Sequence, residues 1–292
     1  MGNVEPLLES GVVLLDKPCG PVSHEVTSWV KKMLFVSRTG HAGTLDPDVS
    51  GVLPVAIGRA TKLLRYIAGK RKTYVGICKF KKELKSGHIE DLFASFRGEI
   101  EQTPPLVSAV RKVRRKRFVH SLEVLEIDGK RVLFRAVVEA GTYIRALCED
   151  IGEKAGCGAF MEELRRTAVG RIREDSCCTM QDLSDAYWLW KEKGDGRLLE
   201  KCIVPIEKLI DFRRIYVRGN VPDSLASGAQ LMAPGLCGAE PGIKKGDLVA
   251  IYSEGGDFVG VGSALFDGEE MNSRERGRIV ATERIHWKKG KE

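Results

Sequence analysis

The strongest constraint on the fold is that strand-like runs follow one another too closely for a helical crossover between them. Apolar or alternating runs predict strands at 12–15, 52–57, 73–80 and 132–138. Helical character is found at 23–34, 59–68, 143–154 and 180–193. Antiparallel strands need only a short turn, whereas parallel neighbours need about a dozen residues or more. The order therefore predicts an α+β domain with a mixed, largely antiparallel central sheet and flanking helices.

The pattern changes after Ile210. Short β-like runs separated by glycine-rich turns follow at 215–217, 247–252, 258–263 and 279–282. This predicts a second, small β domain. We expect the two domains to cover residues 1–212 and 213–292.

Composition excludes several classes of protein. Of 292 residues, 43% are hydrophobic and 30% charged, which excludes a disordered or collagen-like chain. The sequence shows neither a signal peptide nor a run of about 20 apolar residues, so we expect no membrane association. The eight cysteines form no C-x-x-C and have no histidine at zinc-ligand spacing, and no phosphate-binding glycine motif is present. We therefore expect no metal and no cofactor.

The net charge of +7 is concentrated in one segment. RKVRRKR places six cations in seven positions, and these are Arg111, Lys112, Arg114, Arg115, Lys116 and Arg117. Adjacent like charges repel one another, so we expect a mobile loop or hairpin tip. One interpretation is a solvated charge run. The other, which we favour, is a patch that binds the phosphates of a nucleic acid.

The loop GHAGTLDPDVSG contains the main catalytic candidate, Asp46. Flexible Gly43 and rigid Pro47 could hold one carboxylate at the rim of a cleft. Asp48 is the competing candidate. On this loop alone, an Asx-turn without catalytic function remains the alternative.

Other segments, taken with this loop in order and spacing, resemble the TruB/dyskerin superfamily of pseudouridine synthases. They are LDKP (15–18), KTYVG (72–76), GTYIRALCEDIG (141–152) and MEELRRTAVG (161–170). The resemblance is closer to the archaeal H/ACA guide-RNA branch, the dyskerin homologues, since DKPCGPVSHEV and TPPLVSAVRKVRRKR look like that branch and the insertion typical of bacterial TruB is missing. SGAQLMAPG and KKGDLVAI in the tail are similar to a PUA domain, an RNA-binding domain with a small β-barrel-like fold.

The resemblance implies roles for three residues in the reaction. Asp46 matches the catalytic aspartate, which acts as a nucleophile at C1′ or a base at C2′ of the uridine. Arg145 matches the arginine that pairs with it, and a planar, permanently charged guanidinium suits that task. Tyr74 matches the tyrosine that stacks on the flipped base.

The resemblance also implies residues that contact the substrate. Leu164 resembles the apolar wall of the base pocket, and His41 matches a loop histidine that helps to displace the base, although it could equally be a turn hydrogen-bonder. Lys17 belongs to the same candidate set, mainly as support for the loop. The cationic segment corresponds to the thumb loop that closes over RNA.

By this resemblance the chain is the catalytic subunit of an H/ACA ribonucleoprotein that isomerises uridines in rRNA, and tRNA is a further candidate substrate. The implied partners are a guide RNA, a small zinc-ribbon-like protein, a Gly/Arg-type accessory protein and a kink-turn-binding ribosomal-type protein. We expect a cytoplasmic, archaeal enzyme, nucleolar only if eukaryotic. A stand-alone TruB-type synthase of the tRNA T-loop and a non-catalytic RNA-binding scaffold are the alternatives.

Overall fold

The computed structural model describes residues 4–103 and 113–290. The chain divides into two compact units, Met1–Val204 and Pro205–Glu292. The division lies a few residues before the boundary that the sequence predicts, at 212/213.

The first unit combines helices with one large sheet. Its α-helices are α1 (Glu5–Ser10), α2 (Ser23–Met33), α3 (Leu64–Ala68), α4 (Ser86–Ala94), α5 (Ile144–Lys154), α6 (Met180–Lys193) and α7 (Arg197–Cys202). Its strands are β1 (Gly11–Lys17), β2 (Thr39–His41), β3 (Val49–Ile57), β4 (Lys72–Phe80), β5 (Gly98–Gln102), β6 (Arg115–Asp128), β7 (Arg131–Val138), β8 (Ala159–Val169) and β9 (Ile172–Arg173), with β10 (Ile203–Pro205) at the division. Short 3-10 helices span Gly58–Leu63 and Glu174–Ser176.

The strand order of the sheet is β10-β1-β3-β8-β4-β7-β6-β5, with β2 on β3 and β9 on β8. Strands β3 and β8 run parallel, whereas β1–β3, β4–β8, β4–β7, β6–β7 and β5–β6 are antiparallel. The prediction of an α+β fold with a largely antiparallel sheet is confirmed.

Alternation on β4 fixes which face of the sheet is covered. Its even-numbered residues from Lys72 to Phe80 are buried and its odd-numbered residues are partly exposed. The buried face joins the core of the unit, to which α5 contributes Leu147, Cys148 and Ile151. Helix α5 therefore packs against this face of the sheet, and the side chains of its first turn lie near one end of the sheet.

Close backbone contact at Gly51 joins β3 to β8. Gly51 has a φ of +106°, and a Cβ there would lie 2.2 Å from the carbonyl oxygen of Arg166. A larger residue would separate the two parallel strands, so glycine is required at the point where the chain leaves the candidate catalytic loop.

The prediction for the cationic segment is partly wrong. Residues 115–117 are not a loop or hairpin tip but the first residues of β6, paired with β5. Most of β6 is exposed or half-buried, so it lacks the apolar alternation by which strands are recognised. Arg111 and Lys112 lie outside the described residues.

The second unit is a six-stranded, barrel-like sheet. Its strands are β11 (Arg213–Val217), β12 (Leu231–Met232), β13 (Leu236–Ala239), β14 (Leu248–Ser253), β15 (Phe258–Ala264) and β16 (Arg278–Ile285). Its α-helices are α8 (Val221–Ala226) and α9 (Gly268–Ser273), and short 3-10 helices span Ile206–Leu209 and Ala233–Gly235. The strand order is β12-β16-β15-β14-β11-β13 around an apolar core. The four predicted strands are confirmed.

No helix within the described ranges is both long enough and apolar enough to cross a bilayer.

Candidate active site

An ion pair between Asp46 and Arg145 defines the candidate site. Asp46 lies in the loop between β2 and β3, and Arg145 is the second residue of α5. Nη2 of Arg145 lies 2.9 Å from Oδ2 of Asp46, and the two side chains are 35% and 52% exposed, respectively. The carboxylate is therefore paired and also accessible to a substrate.

The position of Arg145 on its helix is electrostatically unusual. The first turn of a helix has unsatisfied N–H groups and a partial positive charge, which disfavours a cation there. The Asp46 carboxylate offsets this repulsion. The ion pair therefore stabilises the positions of both side chains before any substrate binds.

Ser23 fixes the loop from the side of α2. Its hydroxyl donates a hydrogen bond to the carbonyl of Leu45 at 2.9 Å and accepts one from the Leu45 N–H at 2.8 Å. Leu45 itself is buried in the core. Asp46 and Val49 then close a turn, in which the Val49 N–H donates to the Asp46 carbonyl at 3.1 Å.

Two buried cations hold the backbone on either side of Asp46. The Lys17 ammonium donates to the carbonyls of Pro18, Pro21 and Pro47 at 2.7, 2.9 and 3.3 Å. The Arg166 guanidinium donates to the carbonyls of Val52 and Gly43 at 2.8 and 3.1 Å. Carbonyl oxygens thus solvate both charges, as burial requires.

Lys17, one of the predicted substrate-binding residues, lies buried beneath the loop. Its side chain is fully buried, and all its described hydrogen bonds go to backbone carbonyls. Lys17 supports the loop and does not reach the open side of the site in this conformation. Burial lowers the pKa of its ammonium.

Lys72 is a third buried cation beside the loop. It donates to the carbonyls of Ala68 and Lys70, the latter at 2.7 Å. Burial, together with the charge of Arg166, lowers the pKa of Lys72 to about 8. Lys17, Arg166 and Lys72 thus place three basic side chains beneath the loop.

His41 ends β2 and pairs with Val55 of β3. Burial lowers the pKa of this imidazole, and the neighbouring His24 and Arg166 lower it further. The neutral imidazole is favoured at pH 7. Its predicted role toward the base stays a prediction.

Tyr74 and Leu164 lie on adjacent strands. Leu164 of β8 is in register with Val49 of β3 on one side and with Gly76 of β4 on the other. A Cβ at Gly76 would lie 2.6 Å from Leu164 Cδ1, so glycine provides the room for this leucine. Tyr74 is opposite Arg166 and only 8% exposed, so in this conformation its ring offers little free surface for stacking.

Three of the four described cations of the basic segment are paired with carboxylates. Arg114 lies 2.8 Å from Glu101, Lys116 2.8 Å from Glu99, and Arg117 3.5 Å from Glu139. Arg117 also donates to the Gly141 carbonyl at 3.0 Å. Exposed ion pairs of this kind are weak, about 0–1 kcal/mol, so RNA phosphates could replace the carboxylates of Arg114 and Lys116.

Within residues 4–103 and 113–290, no three histidine, cysteine, aspartate or glutamate side chains are grouped as metal ligands.

Sequence reasoning missed Ser23 and Arg166, which act on the loop backbone. It also missed Gln102, which hydrogen-bonds the backbone of Tyr143. The signal available for Arg166 was its position beside Arg165 in the segment ELRRT. Nothing in that segment indicates which of the two arginines points inward, because that depends on the register of β8 against its neighbours.

Three family descriptions match successive parts of the chain. Residues 31–144 match the N-terminal domain of the TruB family pseudouridylate synthases, and residues 145–211 match the C-terminal domain of tRNA pseudouridylate synthase B. Residues 213–286 match the PUA domain. The match thus extends over both units.

Curated and solved relatives are similar over nearly the whole chain. A protein of Pyrobaculum arsenaticum named "Probable tRNA pseudouridine synthase B" is 47% identical over 99% of this chain and 87% of its own length. The crystal structure of a Cbf5-Nop10-Gar1 complex matches with a TM-score of 0.89 and 42% identity, covering 97% of this chain and 87% of the other. An H/ACA RNP bound to a substrate RNA containing 2′-deoxyuridine matches with a TM-score of 0.90 and 39% identity, covering 99% and 89%.

Proposed function

The chain belongs to the TruB family of pseudouridine synthases and has a PUA domain, and from this premise we propose that it isomerises uridine in RNA guided by an H/ACA RNA, with Asp46 as the catalytic carboxylate. The observation on which the assignment of Asp46 rests is the 2.9 Å ion pair with Arg145 on an accessible loop.

The chemistry needs one ionised carboxylate at the sugar. Converting uridine to pseudouridine breaks the N1–C1′ bond, turns the base and joins it to the same sugar carbon through a C–C bond. A carboxylate attacks C1′ as nucleophile or removes a proton from C2′ as base. In this proposal Arg145 orients the Asp46 carboxylate through the ion pair, and Tyr74 and Leu164 receive the flipped base.

Asp48 is a weaker candidate than Asp46. The ion pair with Arg145 is made by Asp46. Both side chains are exposed in the same loop, so exposure does not distinguish them. The pair of variants Asp46→Asn and Asp48→Asn therefore forms a matched test.

The dependence on a guide is supported by the similarity to Cbf5. One solved relative is a Cbf5-Nop10-Gar1 complex and another is an H/ACA RNP bound to a substrate RNA, and both match nearly all of this chain. We propose that this chain likewise assembles with a guide RNA, a Nop10-like small protein, a Gar1-like accessory protein and a kink-turn-binding protein. We also propose an archaeal, cytoplasmic setting, in keeping with the archaeal relatives.

A second candidate function is the modification of tRNA without a guide. It is favoured by the name of the curated relatives, which refers to tRNA pseudouridine synthase B. An assay of the purified chain on two substrates separates the functions. One substrate is an rRNA fragment with and without a complementary H/ACA guide and the partner proteins, and the other is an unmodified tRNA transcript.

The guide-dependent function predicts pseudouridine in the rRNA fragment only when guide RNA is present. Equal modification of that fragment without guide would contradict it. Modification of the tRNA T-loop alone, with no response to a guide, would support the second candidate. Pseudouridine is measured by nucleoside mass spectrometry.

A further inference from the structure

A buried glutamine lies behind the arginine of the candidate site. Gln102 is the last residue of β5 and is 3% exposed. Its amide nitrogen donates to the Tyr143 carbonyl at 3.0 Å, and its amide oxygen accepts from the Tyr143 N–H at 3.0 Å. The side-chain amide of Gln102 thus makes two hydrogen bonds, one to the N–H and one to the carbonyl of the same residue, 41 positions away in the sequence.

Tyr143 immediately precedes α5. It is the N-cap of the helix, no side-chain cap is formed by Tyr143 itself, and Ile144 and Arg145 follow as the first two helical residues. The N-terminal N–H groups of a helix need partners from outside the helix, and Gln102 supplies the partner for Tyr143. The Tyr143 carbonyl also accepts the helical hydrogen bond from Leu147 at 3.0 Å.

The position of Arg145 depends on this contact, because Gln102 fixes the backbone at the start of the helix that carries Arg145. It is two residues from Tyr143, and its guanidinium must reach the Asp46 carboxylate at 2.9 Å. A rotation or fraying of the first turn of α5 would move the guanidinium away from that carboxylate. A shift of about 1 Å in a positioning group can cost about a hundredfold in rate.

A second contact from the same hairpin supports the segment before α5. Arg117 of β6 donates to the Gly141 carbonyl at 3.0 Å and lies 3.5 Å from Glu139. Glu139 also donates its N–H to the Phe118 carbonyl at 3.0 Å. The β5–β6 hairpin therefore holds the chain from residue 139 to residue 143, and Gln102 holds the end nearest Arg145.

We propose that Gln102 is a positioning residue for the pseudouridine synthase reaction, acting through the N-terminus of α5 to hold Arg145 against Asp46. This inference rests on the proposed function, since it needs Asp46 and Arg145 to be the reacting pair. Gln102 touches no reacting atom.

The test compares single-turnover rates of Gln102→Leu, Arg145→Lys and the double variant. Leucine approximates the size of glutamine but can neither donate nor accept. We expect Gln102→Leu to lower the rate about tenfold to a hundredfold, with the affinity for substrate RNA changed less than about threefold. In the Arg145→Lys background the same change should lower the rate less than about threefold, because the aligned guanidinium is already absent.

Multiplicative effects of the two substitutions would overturn the proposal, since a merely structural role of Gln102 does not depend on Arg145. An unchanged rate of Gln102→Leu would also overturn it. Gln181→Leu is the matched control, because Gln181 is exposed on α6 and hydrogen-bonds Asp185. That control should retain the wild-type rate.

Amide hydrogen exchange of the wild-type protein provides a measurement that needs no variant to fold. If Gln102 holds the helix start, the Tyr143 amide should exchange at least about tenfold more slowly than an unprotected amide. Exchange of this amide at the unprotected rate would contradict the proposal. Absence of pseudouridine formation by the wild-type enzyme would instead count against the proposed function, so the two failures are distinguishable.

Discussion

The Asp46 carboxylate lies 2.9 Å from the Arg145 guanidinium, and different parts of the first unit set the two residues in place. Lys17, Ser23 and Arg166 hold the loop around Asp46 through backbone groups. Gln102 holds the start of the helix that bears Arg145. The pair is thus assembled by contacts between residues that are distant in the sequence.

Arg145→Ala should reduce activity far more than stability. Loss of an oriented charged group at the reacting centre costs about 10²–10³ in rate. A buried pair would also cost about 3–5 kcal/mol of stability, but this pair is exposed enough that we expect about 1 kcal/mol or less. Single-turnover kinetics and urea unfolding measure the two quantities.

The matched control for Arg145 is Arg135→Ala, since Arg135 forms an exposed ion pair with Glu123 at 3.9 Å. Arg135→Ala should change neither the single-turnover rate nor the free energy of unfolding appreciably. A large loss of stability in Arg145→Ala, or an unchanged rate, would contradict this description of the pair.

Arg166→Ala should strongly destabilise the first unit. The change removes a fully buried side chain and leaves the carbonyls of Gly43 and Val52 without their donor. Unsatisfied buried groups and a large cavity together cost about 3 kcal/mol or more. Arg173→Ala, at a 76% exposed side chain, should stay within about 0.5 kcal/mol of the wild type. Equal stability of the two variants would contradict the assignment.

Lys72 should make stability depend on alkaline pH. Its pKa is lowered from 10.5 to about 8 in the folded state, so between these values the unfolded chain binds more protons than the folded one. The free energy of unfolding therefore rises with pH across this window, by up to about 3 kcal/mol at 1.36 kcal/mol per pH unit. Below about pH 8, the charged lysine is present in both states and its burial is a cost.

Lys72→Met removes the titrating group. The difference in the free energy of unfolding between variant and wild type therefore isolates the contribution of Lys72. In urea unfolding, the free energy of unfolding of the wild type should increase relative to that of the variant between pH 7.5 and pH 10. Lys79→Met, at a lysine paired with Glu162, should keep the wild-type dependence. A constant difference between wild type and Lys72→Met over this range would refute the prediction.

Arg114, which immediately precedes β6, and Lys116 of β6 should contribute to RNA binding in proportion to the number of phosphates that they contact. Arg114 and Lys116 are about 70% exposed, with weak carboxylate partners. Replacing both by glutamine should reduce the slope of log K against log salt by roughly 1.4, at about 0.7 per single-stranded phosphate contact. Lys201→Gln, an exposed lysine on α7, is the control and should leave the slope unchanged. An unchanged slope in the double variant would support the solvated-run interpretation.

The sequence predicted those features that depend on local pattern. The alternation of β7, the apolar periodicity of α2 and α5 and the glycine-rich spacing of the second unit all appear in the structure. Strand β6 was missed because its solvent-exposed residues conceal the alternation. Motif resemblance singled out Asp46 and Arg145, but composition and spacing alone left Asp46 as an ordinary turn residue.

The contacts that hold the site could not be predicted in the same way. Gln102 and Arg166 bind backbone atoms of residues far away in the chain, and a backbone partner has no side-chain identity to recognise in a sequence. Their register also depends on sheet pairing, in which a shift of one residue reverses every side chain. The inward position of Arg166 beside the outward Arg165 is the example in this chain.

The most direct test of the account is the yield of pseudouridine from Asp46→Asn, measured by mass spectrometry under single-turnover conditions against Asp48→Asn and the wild type. We expect no detectable product from Asp46→Asn, with RNA affinity within about tenfold of the wild type, or about 1.4 kcal/mol. Asp48→Asn should retain activity. Undiminished product from Asp46→Asn, or its loss only in Asp48→Asn, would contradict the central claim.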